Sequence, residues 1–140
     1  VLLMWKYLKI YIFIIFCLLI KNSYGSSEID QLKMSDKTVN AFFDYISSDR
    51  KPQDKFLVTL DGSGTFVWAC PQTLCFPAGN SFYTRPCAKT NKGKKCKIFA
   101  VGRKIKWHNS NIMSQDIIKI KQSENLTSIK RKLKRLGFID

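Results

Sequence analysis

The chain has 140 residues, a length that fits one domain plus tails and leaves no room for several domains. Its 24 basic and 10 acidic residues give a net charge of +14, which favours anionic partners such as lipid headgroups, acidic wall polymers or nucleic acid. A chain rich in Lys, Ile and Asn reaches such a charge without selection for binding, so charge alone does not identify the partner.

Residues 1–25 have the layout of a secretory signal peptide. Basic Lys6 and Lys9 precede an apolar run at 10–20, and small residues occupy the two positions that a signal peptidase reads. We therefore expect cleavage after Gly25 and export to the periplasm or the medium. An uncleaved membrane anchor is the alternative, but the apolar run is shorter than the roughly 20 residues that cross a bilayer. Cleavage would remove three lysines, and 21 basic minus 10 acidic residues leaves +11.

A flexible lead is expected at 26–34, and the first helix at 35–48. Ser35 or Asp36 can cap this helix, and Pro52 stops it from continuing. Its apolar residues recur at i, i+3, i+4 and i+7, which is the spacing of one helical face. These residues are Val39, Phe42, Phe43 and Ile46.

Two strand-like runs follow at 55–60 and 65–70, and Asp-Gly-Ser-Gly lies between them. Because glycine takes positive φ freely, this connection predicts a β-hairpin. The next stretch, 71–95, is the least regular of the chain. We expect at most one or two helical turns in it, because a proline such as Pro86 costs about 3 kcal/mol in a helix interior.

A second hairpin is predicted at 94–107, with Gly102-Arg103 as its two-residue turn. Strand alternation then divides its side chains between two faces. The apolar face comprises Cys96, Ile98, Ala100, Ile105 and Trp107. The other face, with its lysines outward, comprises Lys97, Phe99, Val101, Lys104 and Lys106.

The C-terminal residues, 109–140, are predicted to form a helical tail. Ser114 can cap a helix at 115–122, and a basic amphipathic helix follows at 126–136, ended by Gly137. The apolar stripe of the second helix either docks on the domain or contacts an anionic membrane surface. This stripe consists of Leu126, Ile129, Leu133 and Leu136.

These elements predict an α+β domain at 35–108, in which two β-hairpins form a four-stranded antiparallel sheet packed with helices. Four cysteines remain after the signal peptide, and an even count in a small exported domain indicates two disulfides. The favoured pairs each close a short loop flanked by regular structure. A zinc site is the alternative, but metal sites usually show tighter C-x2-C pairs. The favoured pairs are Cys70–Cys75 and Cys87–Cys96.

No residue has a recognisable catalytic spacing to the single histidine, His108, and the scattered aspartates form no acid/base pair. Cys70 and Cys75 are separated by four residues, whereas thioredoxin-like pairs are separated by two. We therefore expect a protein that is not an enzyme and that holds neither a metal nor a cofactor. An envelope enzyme or thiol redox protein that uses Cys70 and Cys75 or His108 is the alternative.

The second hairpin carries the candidate binding face, on which cations surround an aromatic side chain. Such a face can hold phosphates while the ring stacks on a base or covers a sugar. The alternative is a face that binds nothing, either because its lysines are only solvated or because the C-terminal helix covers it through Phe99 and Val101. Export also makes nucleic acid an unlikely partner, so an anionic envelope component or a protein partner is favoured. The candidate residues are Lys97, Phe99, Arg103, Lys104 and Lys106.

The two hairpins, and above all the ending C-K-I-F-A-V-G-R-K-I-K-W at 96–107, resemble small exported domains of alphaproteobacteria. Those domains have no assigned biochemical function, so the resemblance implies an exported disulfide domain and no catalytic residues. The chain departs from them at Pro86, where its relatives have an alanine-rich helix that leads into the third cysteine. Together these observations predict an exported, non-enzymatic binding module.

Overall fold

The computed structural model describes residues 31–72, 75–107 and 118–140. The predicted signal peptide, His108 and Ser114 lie outside these ranges.

The described residues form three helices and one four-stranded antiparallel sheet, with the strand order β2-β1-β3-β4. The predicted α+β class and both hairpins, β1–β2 and β3–β4, are therefore confirmed. The helices are α1 (Asp36–Ser47), α2 (Asn80–Thr90) and α3 (Leu126–Arg135). The strands are β1 (Lys55–Thr59), β2 (Thr65–Trp68), β3 (Cys96–Val101) and β4 (Lys104–Ile105).

The sheet is covered on both faces, as the central strand β1 shows. Phe56 and Val58 point into the main core, where they meet α1 and α3, whereas Leu57 points to a smaller cluster around Tyr83 of α2. Successive side chains of a strand point to opposite faces, so α1 and α3 lie on one side of the sheet and α2 on the other. Both predicted disulfides are present, and Cys87–Cys96 joins α2 to β3.

A bulge in β3 changes the predicted faces of the second hairpin. Phe56 pairs with Ala100 and Leu57 with Ile98, so Phe99 is an extra residue on its strand. The Phe99 carbonyl accepts from the amides of Lys106 and Trp107, at 2.7 and 3.2 Å. The ring of Phe99 is 0% exposed and packs in the main core. The predicted outward position of Phe99 is therefore wrong, because an uninterrupted alternation does not allow for the bulge.

Helix α2 is longer than the predicted one or two turns, and it contains Pro86. Proline lacks the N–H that would bond to the carbonyl four residues earlier. Two buried side chains on the same helix, Tyr83 and Cys87, face Leu57 of the sheet. This burial and the Cys87–Cys96 bond offset the cost of the proline.

The core also includes residues from the predicted lead and tail. Leu32 is fully buried, and the Met34 amide donates to the Phe138 carbonyl at 2.8 Å. Ile129 and Leu133 of α3 are buried as well. The apolar stripe of α3 thus docks on the domain and does not present itself to a membrane.

The described part of the predicted helix at 115–122 is not helical. Lys119 instead forms a bridge with Lys104, and the Ile120 amide donates to the Arg103 carbonyl at 2.8 Å. Strand β4 is only two residues long, and these backbone bonds extend the pairing at its outer edge. The sheet edge therefore determines the conformation of this segment.

Candidate anion-binding site

Basic residues dominate one contiguous part of the chain. No aspartate or glutamate occurs between Asp61 and Asp116, a stretch that includes α2, β3 and β4. Cations in this stretch have no carboxylate within their own segment to neutralise them. The cations of these elements therefore contribute a positive potential that no carboxylate of the same stretch offsets.

A cleft of about 440 Å³ lies beside the β3–β4 turn, and we call it the turn cleft. Five of its eight lining residues are basic and none is acidic. They come from three separate segments: the loop after α1, the second hairpin, and the segment that pairs with β4. The lining residues are Arg50, Pro52, Val101, Gly102, Arg103, Lys104, Lys106 and Lys119.

The floor of the turn cleft is fixed by close packing at Gly102. This residue has φ +54°, and a Cβ atom there would lie 3.2 Å from the Pro52 Cα and carbonyl oxygen. The Gly102 amide donates to the Asp54 carbonyl at 2.7 Å, and the Tyr45 hydroxyl donates to the Gly102 carbonyl at 2.8 Å. The turn therefore needs glycine both for its backbone conformation and for its contact with the 52–54 loop.

The hydroxyl of the buried Tyr45 supports this floor by donating to the carbonyls of Asp54 and Gly102. Burial raises the pKa of the Tyr45 phenol well above its ordinary value, and the Asp54 carboxylate raises it further. The hydroxyl therefore keeps its proton and remains a hydrogen-bond donor through the ordinary pH range. This donor is a structural element of the site.

The two arginines of the turn cleft are occupied by protein groups. Arg103 donates to the carbonyls of Ile46, Ser48 and Arg50, at 3.1, 2.6 and 3.4 Å. Two of these carbonyls lie at the C-terminal end of α1, where they lack helical partners. Arg103, predicted as a ligand-binding residue, thus has its guanidinium bound to the end of a helix.

Arg50 is held in a similar way. Its Nε donates to the Tyr45 carbonyl at 3.0 Å, and its guanidinium lies 4.8 Å from the centre of the Tyr45 ring. Its Nη1 atom is 3.9 Å from a carboxylate oxygen of the buried Asp54. Both arginines contribute positive charge to the wall of the cleft, and protein groups hold their guanidinium groups in place.

The lysines of the turn cleft differ from the arginines. Lys104, Lys106 and Lys119 are exposed, and within the described ranges their ammonium groups have no hydrogen bond or ion pair. By contrast, Lys94 of the neighbouring loop bonds Asp61 at 2.7 Å, which lowers the pKa of that carboxyl. Three unpaired ammonium groups beside two fixed guanidinium groups form a site that can hold an anion by charge.

The five predicted binding residues are not all in one place. Arg103, Lys104 and Lys106 meet in the turn cleft, whereas Lys97 lines the next hollow, with its ammonium 4.8 Å from the centre of the Trp107 ring. Phe99 is buried and cannot act as a stacking platform. Arg50 and Lys119 were missed, because no local pattern links them to the hairpin.

The cysteine sites give no support to the alternative of a redox protein or a metal site. The four cysteines that the structure describes are in disulfides, with the predicted pairing. Cys70 is 3% exposed, and its amide donates to the Asp54 carboxylate at 2.8 Å. Within the part of the chain that the structure describes, no group of three His, Cys, Asp or Glu residues is arranged to hold a metal.

Among the described helices, none has the length and apolar character needed to span a bilayer. Comparisons of the chain with protein-family models, with curated proteins and with solved structures found no match. The resemblance to small exported domains therefore stays a prediction.

Proposed function

We propose that the protein is an exported, non-enzymatic binding module that takes an anionic component of the cell envelope into the turn cleft. One observation carries this proposal: among the described residues, the ammonium groups of Lys104, Lys106 and Lys119 have no hydrogen bond or ion pair, and none of the residues that line their cleft is acidic. The site contains no arrangement of nucleophile, base and acid, so binding is the function that its chemistry supports best.

The mechanism of binding follows from the way the cations are held. Arg50 and Arg103 are fixed to backbone carbonyls, so their charges stay in the cleft wall whether or not a ligand is bound. The three lysines have flexible stems and can adjust to the anion. Binding of this kind weakens as salt screens the charges, because the Debye length falls from about 10 Å at 0.1 M salt to about 3 Å at 1 M.

Export is supported by the cysteine chemistry. Disulfides persist in oxidising compartments, and this small domain has two, of which Cys87–Cys96 joins α2 to β3. The sequence of residues 1–25 has the features of a signal peptide. An envelope location would bring the turn cleft close to lipid headgroups and acidic wall polymers.

The proposal is tested by calorimetric titration with tripolyphosphate, using two variants of equal net charge. The cleft variant is Lys104→Gln/Lys106→Gln/Lys119→Gln, and the matched control on the outer face of α3 is Arg131→Gln/Lys134→Gln/Arg135→Gln. We expect the cleft variant to lose about tenfold or more in affinity, since three charge contacts are removed. The control is expected to stay within about threefold of the unmodified protein, because its charges act only at long range.

Equal losses of affinity in the two variants would show that tripolyphosphate binding depends only on the net charge of the protein, and the proposal would be wrong. Absence of binding to the unmodified protein at low salt would have the same meaning.

A further inference from the structure

The turn cleft continues into two further hollows along β3. The first, which we call the β3 hollow, has a volume of about 460 Å³ and shares Val101 and Lys106 with the turn cleft. The next, of about 340 Å³, shares Thr84, Cys96 and Lys97 with the β3 hollow. Each hollow therefore lies next to the following one along β3, and together we call them the track.

Every section of this track carries cations, and none of its lining residues is acidic. Lys104 and Lys119 lie at one end, Lys106 lies where the turn cleft meets the β3 hollow, and Lys97 lies where the β3 hollow meets the next one. Lys95 and Arg85 line the far hollow. A single small anion would occupy only one section and leave the other cations unpaired.

The track is long enough for several charged units. Strand β3 has six residues, and a strand rises about 3.3 Å per residue, so the track extends over roughly 20 Å. The chemistry that matches adjacent hollows with recurring cations is a chain of regularly spaced anions.

Among the described residues that line the track, none is an aromatic side chain on which a base could stack. Phe99 is 0% exposed, Trp107 is 4% exposed, and the ammonium of Lys97 lies over the Trp107 ring. Proteins that bind single-stranded nucleic acid combine a basic groove with exposed aromatic rings. This track has the groove without the rings, which favours a polyanion that lacks bases.

The type of cation indicates the charged group of the ligand. Among the described residues, the cations of the turn cleft and the β3 hollow that have no hydrogen bond or ion pair are all lysines: Lys97, Lys104, Lys106 and Lys119. The planar fork of an arginine pairs with carboxylate and phosphate alike, and the arginines of the turn cleft are already bound to carbonyl groups. A ligand is therefore held by the compact charges of the lysines, and a phosphate group offers these ammonium donors more acceptor oxygens than a carboxylate does.

On the basis of the function proposed above, we propose that the ligand is a linear phosphate-bearing polymer without bases. It runs along β3, with one part in the turn cleft and the next part in the β3 hollow. Lys106 contacts the polymer at the junction, and Lys97 contacts only chains long enough to leave the turn cleft.

The test compares tripolyphosphate with a polyphosphate chain that spans the track, with affinities corrected for the number of overlapping sites on the longer chain. We expect the longer chain to bind more tightly. In the Lys97→Gln variant its affinity falls about two- to fivefold, since one charge contact is lost. The slope of log K against log salt falls by about 0.7 for that lost contact. Binding of tripolyphosphate stays unchanged in this variant, and Lys130→Gln on α3 leaves both ligands unaffected.

Two further probes of similar charge, an oligothymidylate and a polygalacturonate, test the class of ligand. We expect both to bind more weakly than the polyphosphate chain. Tighter binding of either probe would overturn the assignment to a phosphate polymer without bases. If the longer chain binds no more tightly than tripolyphosphate, or if Lys97→Gln does not weaken its binding, the proposed path along β3 is wrong. The proposal of a binding site in the turn cleft is not affected by that result. If even tripolyphosphate fails to bind, the proposed function is wrong as well.

Discussion

At the scale of single residues, Arg103 and Lys104 show how adjacent cations take different roles. Arg103 binds three backbone carbonyls around the end of α1, whereas Lys104 is exposed and has no hydrogen bond or ion pair within the described ranges. The sequence does not reveal this difference, which depends on the contacts that each side chain makes in the folded chain. The arginine stabilises the wall of the turn cleft, and the lysine is left for a ligand.

This difference predicts opposite effects of substitution. Arg103→Ala should lower the free energy of unfolding by about 1–3 kcal/mol, because charged hydrogen bonds to carbonyls are lost and those carbonyls stay partly buried. Lys104→Ala should change it by no more than about 0.5 kcal/mol, as is usual for exposed positions. Urea unfolding followed by far-UV circular dichroism measures both values. Similar losses in the two variants would contradict the structural role of Arg103.

Phe99 shows which residue positions cannot be read from a strand pattern. Alternation along 96–101 predicts that Phe99 lies among the lysines, but the bulge turns it into the main core against Phe138 and Phe42. The cause is the pairing of β3 with β1, which is distant in sequence. A local pattern contains no information about that partner, so the burial of Phe99 could not be predicted from it.

At the scale of elements, local signals predicted most of the fold. The apolar spacing of α1 and α3 and the turns of both hairpins are properties of short segments, and the structure confirms these elements. Helix α2 was underestimated because burial of Tyr83 and Cys87 overrides the cost of Pro86. The predicted helix at 115–122 fails in its described part because the backbone there bonds to the β4 edge.

The dependence of α2 on its tertiary contacts gives a prediction for the Cys87–Cys96 bond. Cys87→Ser/Cys96→Ser should lower the free energy of unfolding by about 2–3 kcal/mol, because the unfolded chain loses a constraint on its loop. It should also reduce the helical circular dichroism signal, since α2 contains a proline and has only a small buried cluster to hold it.

The matched control is Cys70→Ser/Cys75→Ser, which removes a disulfide outside the helices. It should lower stability without changing the helical signal. A loss of helical signal in the control but not in the first variant would contradict the role assigned to Cys87–Cys96.

At the scale of the whole molecule, the candidate site exists only because distant segments meet. The sequence identified the cations of the second hairpin, but Arg50 follows α1 and Lys119 lies beyond the turn by more than a dozen residues. Their positions depend on the packing of Pro52 against Gly102 and on the bridge between Lys104 and Lys119. Sequence patterns therefore predict the cations of the second hairpin, and the topology of the fold brings Arg50 and Lys119 to them.

The two ends of the described chain are joined across the same fold. The Met34 amide bonds the Phe138 carbonyl, and the Lys33 ammonium lies 2.6 Å from the Asp140 carboxylate. These contacts hold the predicted lead and tail on the face of the sheet that carries α1 and α3. The turn cleft and the β3 hollow are lined by other elements, so these contacts between the ends do not cover them.

The most direct test of this account is a map of the bound anion by nuclear magnetic resonance. Tripolyphosphate added to the isotope-labelled protein should shift the amide resonances of the turn cleft, at Gly102, Lys104, Lys106 and Lys119. The exposed basic residues of α3, Arg131, Lys134 and Arg135, should shift little. Shifts that are largest on α3, or equal over all basic surfaces, would contradict a specific site in the turn cleft.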